Sequence, residues 1–143
     1  MTERKQFSSF FVDGLFFGIE VAKVQEVMGA VYMTPVPLAP PAVRGLINLR
    51  GQIVTSIDLR CCLQLNERPA GQVPVNLILY TDDGCTSLLV DDVGEVLEVD
   101  ETTFEPPPET LQGRPRELIR GAYKLDNRLM HVLDVERTLN LAR

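Results

Sequence analysis

The side chains of this sequence that could carry chemistry are few and widely spaced. The single histidine is His131, set between Met130 and Val132 in a run with strand character. A metal site needs several ligands, and nothing supplies a second imidazole. The cysteines are Cys61, Cys62 and Cys85. An odd count with two adjacent members is not a disulfide framework. A thiol nucleophile would need one of them beside His131 in space, and the chain gives no local support for that pairing. At least one of Cys61 and Cys62 is expected to be a small buried apolar side chain of an amphipathic helix.

Carboxylates are plentiful but wrongly ordered for chemistry. Residues 81–110 hold ten of them and no Lys or Arg. A calcium loop needs alternating oxygen ligands, a glycine at its sixth position and a closing Glu, and that order is absent. A solvated acidic face is the commoner use of such a stretch. No glycine-rich phosphate loop occurs. No catalytic, metal-binding or cofactor-binding residue is expected, and no cofactor.

The elements that would position any site belong to a globular chain. Its 143 residues are 45% apolar and 24% charged, enough to bury a core without staples. The formal charge is −6, which repels phosphate backbones, and no basic cluster offsets it; nucleic acid is not an expected partner. The N-terminal residues lack the apolar run of a signal peptide. The longest uncharged stretch, 27–43, contains Pro35, Pro37, Pro40 and Pro41, which a spanning helix would not tolerate. The expectation is a cytoplasmic protein with reduced thiols and no direct membrane insertion.

Four hairpins make the chain mainly β. Strands at 7–12 and 15–19 flank Asp13-Gly14, and strands at 46–49 and 53–57 flank Arg50-Gly51. Strands at 75–80 and 85–90 flank Asp82, Asp83 and Gly84; strands at 122–125 and 129–133 flank Asp126-Asn127. Helices are few and short. One is expected over 20–28, where Val21, Val24, Val27 and Met28 recur at helical spacing. Two more follow Asp58 and Asp134, each placed where a carboxylate can cap the first turn.

The chain also repeats itself. Residues 44–65 fall without a gap on the residues 76 positions later, with Arg44/Arg120, Gly45/Gly121, Leu49/Leu125, Asp58/Asp134, Leu63/Leu139 and Leu65/Leu141 identical. Val24-Gln25-Glu26-Val27 likewise matches Val93-Gly94-Glu95-Val96 at an offset of 69. Each half of about 60 residues is marginal alone, so two small barrels packed together are expected.

The run Val43-Arg44-Gly45-Leu46-Ile47-Asn48-Leu49-Arg50-Gly51-Gln52-Ile53-Val54, leading into Ile57-Asp58-Leu59-Arg60, resembles the signature of the CheW family of chemosensory coupling proteins. Phe17-Gly18-Ile19-Glu20 through Val27, Leu88-Leu89-Val90-Asp91 through Leu97, Ile119-Arg120-Gly121 and Leu133-Asp134-Val135 extend the resemblance over 7–141. It implies a single CheW-like domain, mainly β with a few short helices. Its two five-stranded SH3-like β-barrels would share a hydrophobic core. The first would take about 10–70, with the C-terminal segment as a candidate addition, and the second 73–141. The implied function is that of a non-enzymatic adaptor. It would join the cytoplasmic tip of a methyl-accepting chemoreceptor to the regulatory domain of a CheA-type histidine kinase, in membrane-associated arrays whose rings hold other CheW-like domains.

Residue by residue, the resemblance makes Val24, Glu26, Val27, Arg50 and Gly51 candidates for receptor or kinase binding. Glu26 and Arg50 are expected as neighbours on one face. Gly45 is a further candidate, equally explained by a tight backbone approach. Leu88, Val90 and Val96 are expected to line a groove from the second barrel. Val24 and Val27 also fit a plain core role. Thr55 stands where the family commonly has proline, and neither the acidic second half nor Cys61-Cys62 is a family hallmark. The same mechanism could serve a non-flagellar pathway controlling pili, surface attachment or a second messenger. A small-barrel nucleic-acid binder and a cysteine-dependent enzyme are the remote alternatives.

Overall fold

The computed structural model describes residues 4–82 and 84–142. Asp83, in the turn expected at 82–84, lies outside them. The strands are β1 (Arg4–Val12), β2 (Leu15–Glu20), β3 (Val24–Met28), β4 (Val43–Leu49), β5 (Gln52–Asp58), β6 (Val75–Thr81), β7 (Gly84–Val90), β8 (Asp92–Asp100), β9 (Phe104–Glu105), β10 (Ile119–Lys124) and β11 (Leu129–Leu133). The helices are α1 (Leu59–Cys62), α2 (Arg114–Leu118) and α3 (Val135–Ala142).

All four expected hairpins form, and the fold is mainly β in two sheets. One sheet has five strands in the order β3-β6-β7-β5-β4; the other has six, β8-β1-β2-β11-β10-β9, the sixth being the two-residue β9. In each, the chain that leaves one edge strand runs on to pair at the opposite edge. After β3 the chain reaches the far edge, where Thr34 bridges to Leu46 of β4. After β8 a 3-10 turn at 101–103 leads into β9, which pairs with β10. Closure of this kind leaves little free sheet edge.

Division of the chain at about 70 does not describe the strand membership. The five-stranded barrel takes residues 24–90 and the other takes 4–20 together with 92–133. The N-terminal pair β1–β2 fills in the second barrel the place that β6–β7 fills in the first. A repeat read along the chain cannot show this, because the matching pairs lie on opposite sides of the repeated segment.

The expected helix at 20–28 is also corrected. Residues 21–23 make a 3-10 turn and 24–28 are strand β3. Valines at 21, 24 and 27 fit either reading over so short a run. β-branched side chains favour the extended one, and a bulge between Val24 and Glu26 breaks the strand's alternation.

Three apolar clusters hold the molecule. Ile47, Leu49, Val54 and Ile78 fill the first barrel, and Phe7, Phe16, Val99, Tyr123, Met130 and Val132 fill the second. Between the barrels lies the largest cluster, including Phe10, Phe17, Ile57, Leu77, Leu88, Val90 and Leu133. The helix caps are as expected. The Asp58 carboxylate accepts from the Arg60 N–H at 3.0 Å and that of Asp134 from the Arg137 N–H at 3.1 Å.

Candidate functional site

Strand β3 and the β4–β5 hairpin tip form a face that carries Glu26, Val27, Arg50 and Gly51, four of the nine expected residues. At the tip Arg50 and Gly51 both have positive φ, 50° and 87°, the conformation of a two-residue turn between twisted strands. The Gly51 N–H donates to Asn48 Oδ1 at 2.9 Å and fixes the turn. From there the Arg50 guanidinium reaches across the barrel closure to Glu26. Its Nη1 donates to Oε2 at 3.3 Å and its Nη2 to Oε1, a two-point pair. The expected neighbours are therefore neighbours. Beside them Val27 is 45% exposed and Ile53, on the strand leaving the tip, 62% exposed. Gln25 accepts a hydrogen bond from the Cys85 thiol under the same face.

The other candidates separate. Val24 is half-buried and packs against the core between the barrels. Gly45 sits at a bulge of β4 against the closing segment, and a Cβ there would lie 2.8 Å from the Thr34 carbonyl oxygen. The close backbone approach accounts for that glycine. Leu88 and Val90 are fully buried and belong to the first barrel, not the second. They cannot line a groove for a partner, because β7 is an inner strand whose apolar side chains face the other barrel. Val96, on β8 of the second barrel, is 55% exposed.

One cluster escaped the sequence reading. Arg60 of α1 is nearly buried and its guanidinium holds Asp91 at 2.9 and 2.5 Å. Arg68 folds back from the α1–β6 connection onto Asp91 at 3.0 Å and Asp58 at 3.3 Å. Asp13, in the β1–β2 turn, lies 3.6 Å from Arg60, and its N–H donates to Asp91. Burial would raise the Asp91 carboxyl, but Arg60, the Asp13 N–H and Arg68 outweigh it and hold it at about 2. The cluster links the two barrels at the β7–β8 crossing, and with Arg44, 3.3 Å from Asp58, its three arginines match its three aspartates. Its only trace in the sequence is the string Asp58-Leu59-Arg60.

The reactive side chains are placed apart from this face, apart from Cys85. Cys62 is buried and its thiol is pushed up to about 12, chiefly by desolvation, so it is no nucleophile at neutral pH. His131 packs against Phe17 with ring centres 5.9 Å apart, and burial lowers its basicity. Among the described residues no group of three His, Cys, Asp or Glu could hold a metal ion. Nor is any helix of the structure long and apolar enough to cross a membrane.

Two permuted small barrels about a shared apolar layer, with an ion-paired hairpin tip beside an exposed valine, define the class of protein. The CheW-like domain family matches residues 6–143, and the chain belongs to that family. It is similar to the Chemotaxis protein CheW of Bacillus subtilis (strain 168), 31% identical over 131 residues that span 92% of this chain and 84% of that protein. It is 29% identical over 139 residues to the Chemotaxis protein CheW of Klebsiella aerogenes, spanning 97% of this chain and 84% of the relative. The crystal structure of the scaffolding protein TtCheW from Thermoanaerobacter tengcongensis superposes with a TM-score of 0.82 at 28% identity, covering 92% of this chain and 89% of that one.

Proposed function

We propose that this protein is a non-enzymatic adaptor of a chemosensory array. It joins the cytoplasmic tip of a methyl-accepting chemoreceptor to the regulatory domain of a CheA-type histidine kinase, and is recruited to the membrane by those partners. The observation that carries this reading is the Glu26–Arg50 pair spanning β3 and the β4–β5 tip. It sits where the family resemblance puts the binding face, beside the exposed apolar side chains of Val27 and Ile53. An apolar centre within a polar rim is the usual anatomy of a protein interface, and Arg is enriched where binding energy concentrates. Such an adaptor needs faces and no reactive group. Ligand-dependent receptor states that bind the adaptor–kinase assembly with different free energies shift the kinase population.

Calorimetric titration of the protein into the regulatory domain of a CheA-type kinase from the same genome, and into a receptor-tip fragment, tests the reading. Binding with Kd of about 1 μM, near −8 kcal/mol, is expected for at least one. Arg50→Glu should abolish it, and Glu26→Arg with Arg50→Glu should restore part. Silence of the folded wild-type protein with both partners would sink the adaptor role.

A further inference from the structure

The chain passes from barrel to barrel twice, and the two crossings are equivalent. Residues 21–23 carry it from β2 into β3, and Asp91 carries it from β7 into β8. Each crossing lies beside a hairpin turn and a capped helix. Val12↔Leu15 closes the β1–β2 turn as Thr81↔Gly84 closes the β6–β7 turn, so Asp13 matches Asp82. Val93 lies opposite Phe10 as Val24 lies opposite Leu79, so Asp91 matches Ala22 and Asp92 matches Lys23. The helices follow the 76-residue repeat, so Arg60 matches Glu136 and Leu63 matches Leu139.

The same frame is filled differently at its two ends. Around Asp91 the Arg60 guanidinium joins helix, turn and crossing. At the other crossing Lys23, Asp82 and Glu136 line one cleft of about 430 Å³, with the buried Val135 and Leu139 as its apolar lining. That volume is ordinary for a small-ligand site. Among the described residues none of the three charges enters an ion pair, although Lys23 is half-buried. Thr81 lines the same cleft, and its hydroxyl oxygen is buried with no hydrogen-bond partner. Polar groups withdrawn from water and left unpaired are costly, and a ligand that meets them removes that cost.

We infer that this cleft is a binding site for a free basic α-amino acid, with arginine the best match. Asp82 and Glu136 supply acceptors for the guanidinium fork, the Lys23 ammonium pairs with the α-carboxylate, and Val135 and Leu139 cover the methylene stem. The three charges of the cleft sum to −1, against +1 for arginine. The molecule already holds a guanidinium between helix and turn at the equivalent crossing, where Arg60 meets Asp13 and Asp91. With Glu136 in place of Arg60 the charge of the helix position is reversed, so here the cation has to come from outside the chain. An arginine side chain of a partner protein would bring that cation but no carboxylate for Lys23. The site is independent of the adaptor reading and adds to it a small-molecule ligand.

The test is NMR titration of the isotope-labelled full chain with L-arginine, citrulline and N-acetyl-L-arginine amide. L-Arginine should saturate with Kd below about 1 mM, moving amides of the cleft at 22–24, 80–82 and 135–140. Citrulline keeps the carboxylate and loses the cation; the blocked arginine keeps the cation and loses the carboxylate. Each should bind at least about tenfold more weakly. Lys23→Met should remove the advantage of L-arginine over its blocked form, and Glu136→Arg should abolish binding. Asp82→Asn, in an exposed turn, should weaken L-arginine about fivefold with an unchanged melting temperature, which keeps the test valid if either of the other variants folds poorly. No saturable shift up to about 10 mM L-arginine, shifts outside the cleft, or equal affinity for the blocked form would overturn the inference. L-Arginine that binds a chain deaf to kinase and receptor fragments upholds this site and fails only the adaptor reading.

Discussion

Gly45 and Gly121 hold the same place in the two barrels. Each sits at a bulge in its strand, after Val43↔Ile57 in one and Ile119↔Leu133 in the other. A Cβ would meet the closing segment in both, at 2.8 Å from the Thr34 oxygen and at 2.5 Å from that of Glu105. The barrels close only because nothing stands between these backbones.

Gly45→Ala and Gly121→Ala should each lower stability by about 1–3 kcal/mol through overpacking. Gly121→Ala should cost more, since the Phe104 ring also lies 2.4 Å from its Cβ position. Urea unfolding measures both. If Gly45→Ala weakened partner binding without lowering the unfolding midpoint, glycine at 45 would be a contact rather than a clearance.

The tip pair should behave in the opposite way. Arg50→Ala removes an exposed guanidinium whose partner is also partly exposed. Stability should stay close to that of the wild type, because an exposed ion pair gains little over two solvated charges, while partner binding falls. A thermal melt beside a binding isotherm separates the two effects.

Removing Arg60 should be far costlier. Its side chain is 6% exposed and its partner Asp91 8%. Arg60→Ala leaves a buried carboxylate short of its main counter-charge, a loss of about 3–5 kcal/mol. Arg68→Ala should cost less, because Arg60 still faces Asp91. Chemical denaturation of both variants and of the pair would show strong non-additivity, as expected for one network.

Asp134 offers a clean control for Asp58. Both cap a helix, but only Asp58 also receives Arg44 and Arg68, at 3.3 Å each. Asp134→Ala should cost about 1 kcal/mol and Asp58→Ala clearly more, read from the same denaturation curves. Equal losses would mean that the guanidiniums around Asp58 add nothing.

His131 should make stability depend on mild acid. Its Nδ1 is buried without a hydrogen-bond partner, and burial lowers its pKa from the ordinary 6.5. The unfolded chain takes up a proton first as pH falls below that value, so stability drops on acidification and is fully present above it. Melting temperatures of wild type and His131→Thr, the residue that position 55 carries in the first barrel, should diverge most between neutral pH and about pH 5. Parallel curves would remove His131 as the cause.

Much of this architecture was legible because it is local. Asp-Gly, Arg-Gly and Asp-Asn turns between apolar arms announced the hairpins, and single carboxylates announced the caps. The Glu26–Arg50 contact was reached through the family resemblance, since nothing local joins positions 24 residues apart. Strand β8 was hidden because its Gly and acids face solvent, leaving no alternation to read. Leu88 and Val90 looked like groove residues because a strand buried on both faces and an apolar lining have the same composition. The Arg60–Asp91–Arg68 network was invisible because it assembles a turn, a helix, a loop and a strand crossing that meet only in the folded molecule. Which half owned β1–β2 depended on the same kind of long-range pairing.

That ownership bears on how the chain is made. Strands β3 to β7 leave the ribosome in sequence, so every strand of the first barrel is available before β8 is made. The β1–β2 pair emerges before them, yet its neighbours β8 and β11 are synthesised last. Until then the faces of Phe10, Val12, Phe17 and Ile19 meant for the interior have only part of their cover. Synthesis therefore passes through a stage in which all strands of the first barrel are present while the N-terminal hairpin and the shared apolar layer are still half-covered, the species most exposed to aggregation and most in need of a chaperone.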